Sequence, residues 1–292
     1  MMKNQMLKKA ALAAFIILIF TIVAACNTGE GSGVRDAQDR QAKEETAWDC
    51  IQKEGKIKVA TSGTLYPTSY HDSESDELTG FEVEIVKELA RRLELEVEFV
   101  EMAFDGMLTS INSGQVDIAA NDISITEERR EKFAFSDPYK FSFATMIVRK
   151  DDLSGIKTIE DIKGKKAAGE ATTVYMDIAR KYGAEEVIYD NATNELYLRD
   201  VAAGRTDLII NDYFLQKLAL EAFPDLNITI HPDIKFKIPN EGTGIIMKKG
   251  ETELQENINQ VIREMLEDGT ISQLSKQFFG GDDVTVMPEL EY

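Results

Sequence analysis

Two stretches of the chain follow the same order of residue types. Ser113-Gly114-Gln115-Val116-Asp117-Ile118-Ala119-Ala120-Asn121-Asp122 is matched by Ala203-Gly204-Arg205-Thr206-Asp207-Leu208-Ile209-Ile210-Asn211-Asp212. Each reads as a glycine that stops a helix, then a short buried strand, then Asn-Asp at the strand's carboxyl end. Gly-x-x-Asp before a buried strand is common in α/β chains, so the match alone does not establish a duplication. It does predict two similar halves, each presenting polar residues where a strand ends. Two such edges facing each other make a cleft.

The surrounding pattern agrees with this reading. Ile57 and Val59 mark a first strand, and Ile85, Val86, Leu89, Ala90 and Leu93 recur at helical spacing. Leu95, Val97 and Phe99 alternate with glutamates, and Phe104, Met107, Leu108 and Ile111 form the next helix. Such alternation implies parallel strands joined by right-handed crossovers. After a long strand-like run at 141–149 the pattern restarts. Strands are expected at 166–168, 187–189, 208–210, 228–230 and 244–247, with helices at 173–182, 195–203 and 213–223. Two C-terminal helices carry Leu254, Ile258, Val261, Ile262, Met265 and Leu266, then Leu274 and Phe278.

A chain of 292 residues is comfortable for two compact lobes. Its formal charge of −19 argues against nucleic acid or an anionic membrane surface as partner, since both need a basic face. The first 25 residues read as a separate module: Lys3, Lys8 and Lys9 precede an apolar run too short to span a bilayer comfortably. The run ends in Val23-Ala24-Ala25-Cys26, which resembles the bacterial lipoprotein box, so Cys26 is expected to be lipidated and to become the first mature residue. Removing three lysines and no acids takes the formal charge from −19 to −22. Residues 26–48 are rich in Gly, Ser, Asp, Glu and Gln and read as a flexible tether. Cys50 is the only other cysteine and is assigned no chemistry.

Arg129 lies a few residues beyond the first Asn-Asp strand end. Its guanidinium offers paired donors at carboxylate spacing, although a surface pairing with Glu127, Glu131 or Asp137 fits the same sequence.

Gly80-Phe81-Glu82-Val83-Glu84-Ile85, with Leu89 and Ala90 following at helical spacing, resembles the signature of the amino-acid-binding proteins of bacterial ABC importers (solute-binding protein family 3). Further matching pieces occur in order: Ser124-Ile125-Thr126-Glu127-Glu128-Arg129, Phe135-Ser136-Asp137-Pro138-Tyr139, Gly164-Lys165-Lys166 and Asp268-Gly269-Thr270. The resemblance spans about 55–280. It implies a two-lobed α/β fold of the periplasmic-binding-protein-like (type II) kind, with a hinge of two crossings near 140–146 and 238–243. Lobe one would comprise 49–140 and 242–292, and lobe two 141–241.

The resemblance also implies roles. Arg129 would clamp the α-carboxylate of an amino acid, helped by Ser124 and backbone groups near Asp122. Thr172 and Thr173, at a helix start, would take the same carboxylate, and simple N-capping is compatible with that. Asp212 would pair with the α-ammonium, the alternative being a cap on the helix beginning at Tyr213. Phe81 would lie over the ligand side chain, the alternative being a core residue. Leu65 stands where the family usually has an aromatic, Ala171 replaces a usual glycine, and Ser62 stands where binders of basic amino acids are often acidic. The loop 62–72 and Ala171-Thr172-Thr173-Val174-Tyr175 look most like cystine-type members, so cystine or another sulfur-containing or neutral amino acid is the expected ligand.

The partners then expected are an ABC permease and, through the lipid on Cys26, the outer face of the cell membrane, with the protein itself monomeric. No nucleotide loop, zinc spacing or serine elbow is present, so no cofactor, metal or catalytic residue is expected. The alternatives are a cleft enzyme, since a few members of this fold are dehydratases, and an extracellular amino-acid sensor. For the enzyme, Glu170 and Asp122 are conceivable proton carriers. His71 and His231 both read as surface residues in loops.

Overall fold

The computed structural model describes residues 45–189, 192–238 and 240–288. The leader, Cys26 and most of the tether lie outside them. Helix α1 (Ala47–Glu54) opens with a capping box in which Thr46 Oγ1 accepts from Asp49 N at 3.1 Å and Asp49 Oδ2 accepts from Thr46 N at 3.0 Å. Strand β1 (Lys56–Thr61) follows, then a small antiparallel sheet of β2 (Thr64–Leu65), β3 (Ser69–His71) and β4 (Leu78–Thr79). Helix α2 (Phe81–Arg92) starts at Gly80, whose φ of 128° sets it against the Thr68 carbonyl, where a Cβ would collide. Next come β5 (Glu96–Glu101), α3 (Phe104–Ser113), β6 (Ile118–Ala119), α4 (Glu127–Lys132) and β7 (Phe133–Phe135).

The second set contains β8 (Ala144–Arg149), β9 (Lys166–Gly169), α5 (Val174–Lys181), β10 (Glu185–Ile188), α6 (Asn194–Ala202), β11 (Leu208–Asp212), α7 (Tyr213–Ala222) and β12 (Ile228–Phe236). The chain then returns to the first set with β13 (Ile246–Lys248), α8 (Thr252–Glu267) and α9 (Thr270–Phe278). Two five-stranded sheets result, ordered β5-β1-β6-β13-β7 and β10-β9-β11-β8-β12. The fold is therefore two-lobed α/β of type II, with one sheet per lobe.

The sheets are mixed rather than wholly parallel. β1 pairs in parallel with β5 and β6, and β9 with β10 and β11, whereas β13 and β8 run antiparallel to their neighbours. The reason is topological: β8 and β13 are the strands that follow the two crossings and enter each sheet against its βαβ direction. The crossings meet where Lys140 and Thr243 form a β-bridge.

Each sheet is covered on both faces. One side of the first holds Ile57, Val59, Ile85, Leu89, Ile258 and Ile262, and the other Met107, Ile111, Ile123 and Phe135. Helix α7 inserts Phe214, Leu215 and Leu218 into the first of these cores, with Phe214 6.1 Å from Phe279. β12 also runs further than the expected 228–230. His231, expected on the surface, is buried inside this strand, with Nε2 3.1 Å from the Ile156 carbonyl. The apolar flanks of the strand extend past Pro232 through a bulge, which the sequence presents as a loop.

Candidate functional site

Strand ends from both sheets converge on one cavity enclosing about 840 Å³ of space, open mouth included. The first lobe contributes Ser62, Thr64 and Leu65 after β1, Phe104 from α3, and Asn121, Asp122, Ser124 and Arg129 beyond β6. The second contributes Gly169 and Glu170 after β9, Thr173, Val174 and Tyr175 at the start of α5, and Asn211 at the end of β11. These are the carboxyl ends at which open α/β sheets place their ligands.

Arg129 is the cation on this wall. Nη1 donates to the Ser124 carbonyl at 2.9 Å and Nη2 to the Thr172 carbonyl at 2.9 Å, so its side chain touches both lobes. The guanidinium stacks over Phe104 at 5.6 Å. Burial lowers its pKa from the ordinary guanidinium value, and among the described residues no carboxylate lies within ion-pair distance of it. A half-buried guanidinium hydrogen-bonded to carbonyls rather than to a carboxylate suits an anionic guest.

Thr173 caps α5, its Oγ1 accepting from Met176 N at 3.2 Å. Thr173, Val174 and Tyr175, which open that helix, all line the cavity, and the first turn of a helix leaves N–H groups without an intrahelical partner. Thr172 is engaged differently: its N and Oγ1 both donate to Asp105 Oδ1 in the other lobe, the N–H at 3.2 Å.

Behind the cavity lies a buried charge cluster. Lys140 Nζ donates to Asp122 Oδ1 at 2.9 Å and to Asp212 Oδ2 at 2.6 Å. Asp212 Oδ1 accepts from Leu215 N at 3.1 Å and caps α7. Burial alone would lower the Lys140 pKa, but the two carboxylates outweigh it and raise it. Burial, reinforced by the charge of Asp212, raises the pKa of Asp122 against the pull of Lys140. Glu82 Oε2 accepts from Asp122 N at 2.5 Å and Oε1 accepts from the Tyr139 hydroxyl. Burial, followed by the charge of Asp122, pushes the Glu82 pKa up to about 7.

The structure thus gathers Leu65, Asp122, Ser124, Arg129 and Thr173 around one cavity. Three of the expected residues lie elsewhere. Phe81, expected over the ligand, is fully buried against Phe279 at 5.2 Å and Tyr139 at 6.3 Å, because the first residue of α2 faces the core. Asp212, expected on the ammonium, does not line the cavity and has both oxygens engaged, one by Lys140 and one as the cap. Thr172 likewise stands behind the wall, held by Asp105. Sequence reading missed Phe104, Asn121, Tyr175 and Lys140. Asn121 Oδ1 accepts from Ser62 N at 2.9 Å and fixes the loop after β1. The available signal for Lys140 was a lysine between Tyr139 and Phe141 at the head of an apolar run. Neither histidine reaches the cavity; His71 bonds to Glu101 Oε2 at 3.0 Å.

Comparison with known proteins gives a consistent result. Residues 57–281 match the model of bacterial extracellular solute-binding proteins, family 3. The probable ABC transporter extracellular-binding protein YckB of Bacillus subtilis (strain 168) is 62% identical over 286 residues, covering 97% of this chain and 96% of its own. The crystal structure of YckB aligns with a TM-score of 0.66 at 63% identity, over 84% of this chain and 98% of that one. The L-cystine-binding protein TcyA of the same organism is 35% identical over 277 residues, covering 94% of this chain and 99% of its own. An ancestral arginine-binding protein bound to glutamine aligns with a TM-score of 0.70 at 31% identity, over 77% of this chain and 98% of that one.

Proposed function

Because the chain belongs to family 3 of the bacterial extracellular solute-binding proteins, we propose that it captures cystine, or another sulfur-containing or neutral L-amino acid, and hands it to an ABC permease. The observation that carries this reading is Arg129, a half-buried guanidinium in a two-walled cavity whose hydrogen bonds among the described residues go to carbonyls.

In this reading Arg129 and Ser124 take the α-carboxylate from lobe one, comprising 49–140 and 242–292. Thr173 and the N–H groups opening α5 take it from lobe two, comprising 141–241, while Thr172 closes the seam through Asp105. A carboxylate held from both sides favours the closed arrangement and shifts the hinge equilibrium toward it. Leu65, Phe104 and Tyr175 flank the side chain. Lipidated Cys26 keeps the protein outside the cell and within reach of its permease. Among the described residues no helix is long and apolar enough to cross a membrane.

Two observations favour a long ligand such as cystine. One is the similarity to TcyA. The other is a neighbouring opening, about 290 Å³ with the solvent at its mouth included, that shares Asn194, Tyr197, Ile209, Asn211 and Leu215 with the first. Calorimetry of the purified protein against the twenty amino acids and cystine tests the proposal. Saturable binding of cystine supports it, and binding of none of them sinks it.

A further inference from the structure

Two asparagines of the second lobe line both openings, and each has its side-chain amide pinned at one end. Asn211 stands near the end of β11, where its Oδ1 accepts from Asp212 N at 2.8 Å. Asn194 is the first residue of α6, and its Nδ2 donates to the Tyr66 carbonyl of the first lobe at 3.1 Å. These bonds fix which way each amide points, since a backbone N–H needs the amide oxygen and a carbonyl needs the amide nitrogen. Asn211 is left with Nδ2, a donor, and Asn194 with Oδ1, an acceptor. Neither atom has a hydrogen-bond partner among the described residues, and neither is enclosed.

The setting of the pair matters as much as its polarity. Ile209 and Leu215 line both openings with the two asparagines, and no charged side chain is among the described residues lining the smaller one. A side chain with net charge arriving there would lose water and meet no counter-ion. A wholly apolar one would displace water from the Asn211 donor and the Asn194 acceptor and return no hydrogen bond to either. A group of zero net charge that carries both an acceptor and a donor satisfies the two amides. The far amino-acid head of cystine, one carboxylate and one ammonium, is such a group.

We propose that Asn211 Nδ2 donates to the distal carboxylate of cystine while Asn194 Oδ1 accepts from its distal ammonium. Two neutral amides then read the half of the ligand that Arg129 does not hold. The assignment rests on the amino-acid reading above and names the residues that distinguish cystine from amino acids with short side chains. The wall supplies hydrogen bonds without charge, so it favours a zwitterionic end over a cationic or an anionic one.

The test is calorimetry with L-cystine and two mixed disulfides: cysteine with cysteamine, which lacks the distal carboxylate, and cysteine with 3-mercaptopropionate, which lacks the distal ammonium. A Cys50→Ser parent keeps the exposed thiol from exchanging with them. The parent is expected to favour cystine over either mixed disulfide by about 10-fold or more, the range of a hydrogen bond to a charged group. Asn211→Asp keeps the oxygen that Asp212 N needs and replaces the donor by a second oxygen. It is expected to lose that factor for cystine while the cysteamine disulfide binds as well or better. Should it not fold, Asn211→Leu, which removes the donor at similar size, is expected to lose cystine and spare the cysteamine disulfide in the same way. Equal affinity of the parent for all three compounds overturns the assignment. So does a preference for cystine over the cysteamine disulfide that survives the Asn211 substitution, and so do equal losses for both, which mark a merely structural role. A parent that binds other amino acids but not cystine overturns the assignment and leaves the amino-acid reading standing. One that binds no amino acid sinks both.

Discussion

Lys140 Nζ sits 2.6 Å from Asp212 Oδ2, and both side chains are only 1% exposed. A residue of the first crossing is therefore tied to a strand end of the second sheet. The same ammonium holds Asp122 of the first lobe, so one buried charge spans the hinge.

Lys140→Met is expected to destabilise the apo protein by about 3–5 kcal/mol, because it leaves two carboxylates buried and unpaired. Urea unfolding at pH 7 measures this. A loss below about 1 kcal/mol would show that water already screens the cluster.

Arg129→Ala is expected to abolish binding of the amino acid and to leave apo stability within about 1 kcal/mol. Neither of its two hydrogen bonds is fully buried, so water replaces the lost donors. Calorimetry and thermal melts on one preparation give both readouts. Normal binding by the variant removes Arg129 from the site.

Glu82 makes stability depend on pH. Its folded pKa of about 7 lies above its ordinary value of 4.5, so between these limits the native chain keeps a proton that the unfolded chain has lost. Its contribution is therefore fully present below about pH 4.5 and is lost as pH rises through about 7. The groups facing it are Tyr139, Asp122 and Lys140, and Asp122 shifts in the same direction. Unfolding free energies from pH 5 to 8 are expected to fall by an amount of the order of 3 kcal/mol. Glu82→Gln should flatten that slope, and an unchanged slope would assign the titration elsewhere.

Much of this architecture was legible in the sequence, and the illegible parts share a cause. The twin Asn-Asp strand ends could be read because a strand and its stop are local features. Arg129 could be read because it follows such an end. Phe81 and Asp212 were hard to place because one is the first residue of a helix and the other the N-cap of one, positions from which a side chain can face either the cleft or the core. Only the packing of Phe279 and the position of Lys140 decide between these. His231 was misread for a related reason: Pro232 suggests a loop, whereas a bulge lets β12 run on. Lys140 itself escaped notice because its partners, Asp122 and Asp212, are assembled by the fold rather than by sequence neighbourhood.

The seam between the lobes should be separable from the grip on the ligand. Asp105→Ala removes the acceptor that both Thr172 donors share. The expected effect is a loss of ligand affinity of about 2- to 10-fold, the range of one ordinary hydrogen bond, with apo stability unchanged. Stopped-flow fluorescence should place the loss in the dissociation rate, since opening is what the seam resists. A change confined to the association rate would contradict this.

The side-chain end of the ligand is tested at Tyr197. This ring lines both cavities and packs on Tyr189 at 4.8 Å, so it stands where a long ligand passes from one to the other. A short side chain ends before that junction, whereas the distal half of cystine reaches it. Tyr197→Ala is therefore expected to weaken cystine by about 10-fold, the value of one well-placed aromatic contact. Alanine or serine, to the extent that wild type binds them, should change by less than twofold. Equal losses for long and short ligands would mean that Tyr197 supports the cavity wall rather than reading length. An unchanged cystine affinity would mean that the distal half lies outside the second cavity.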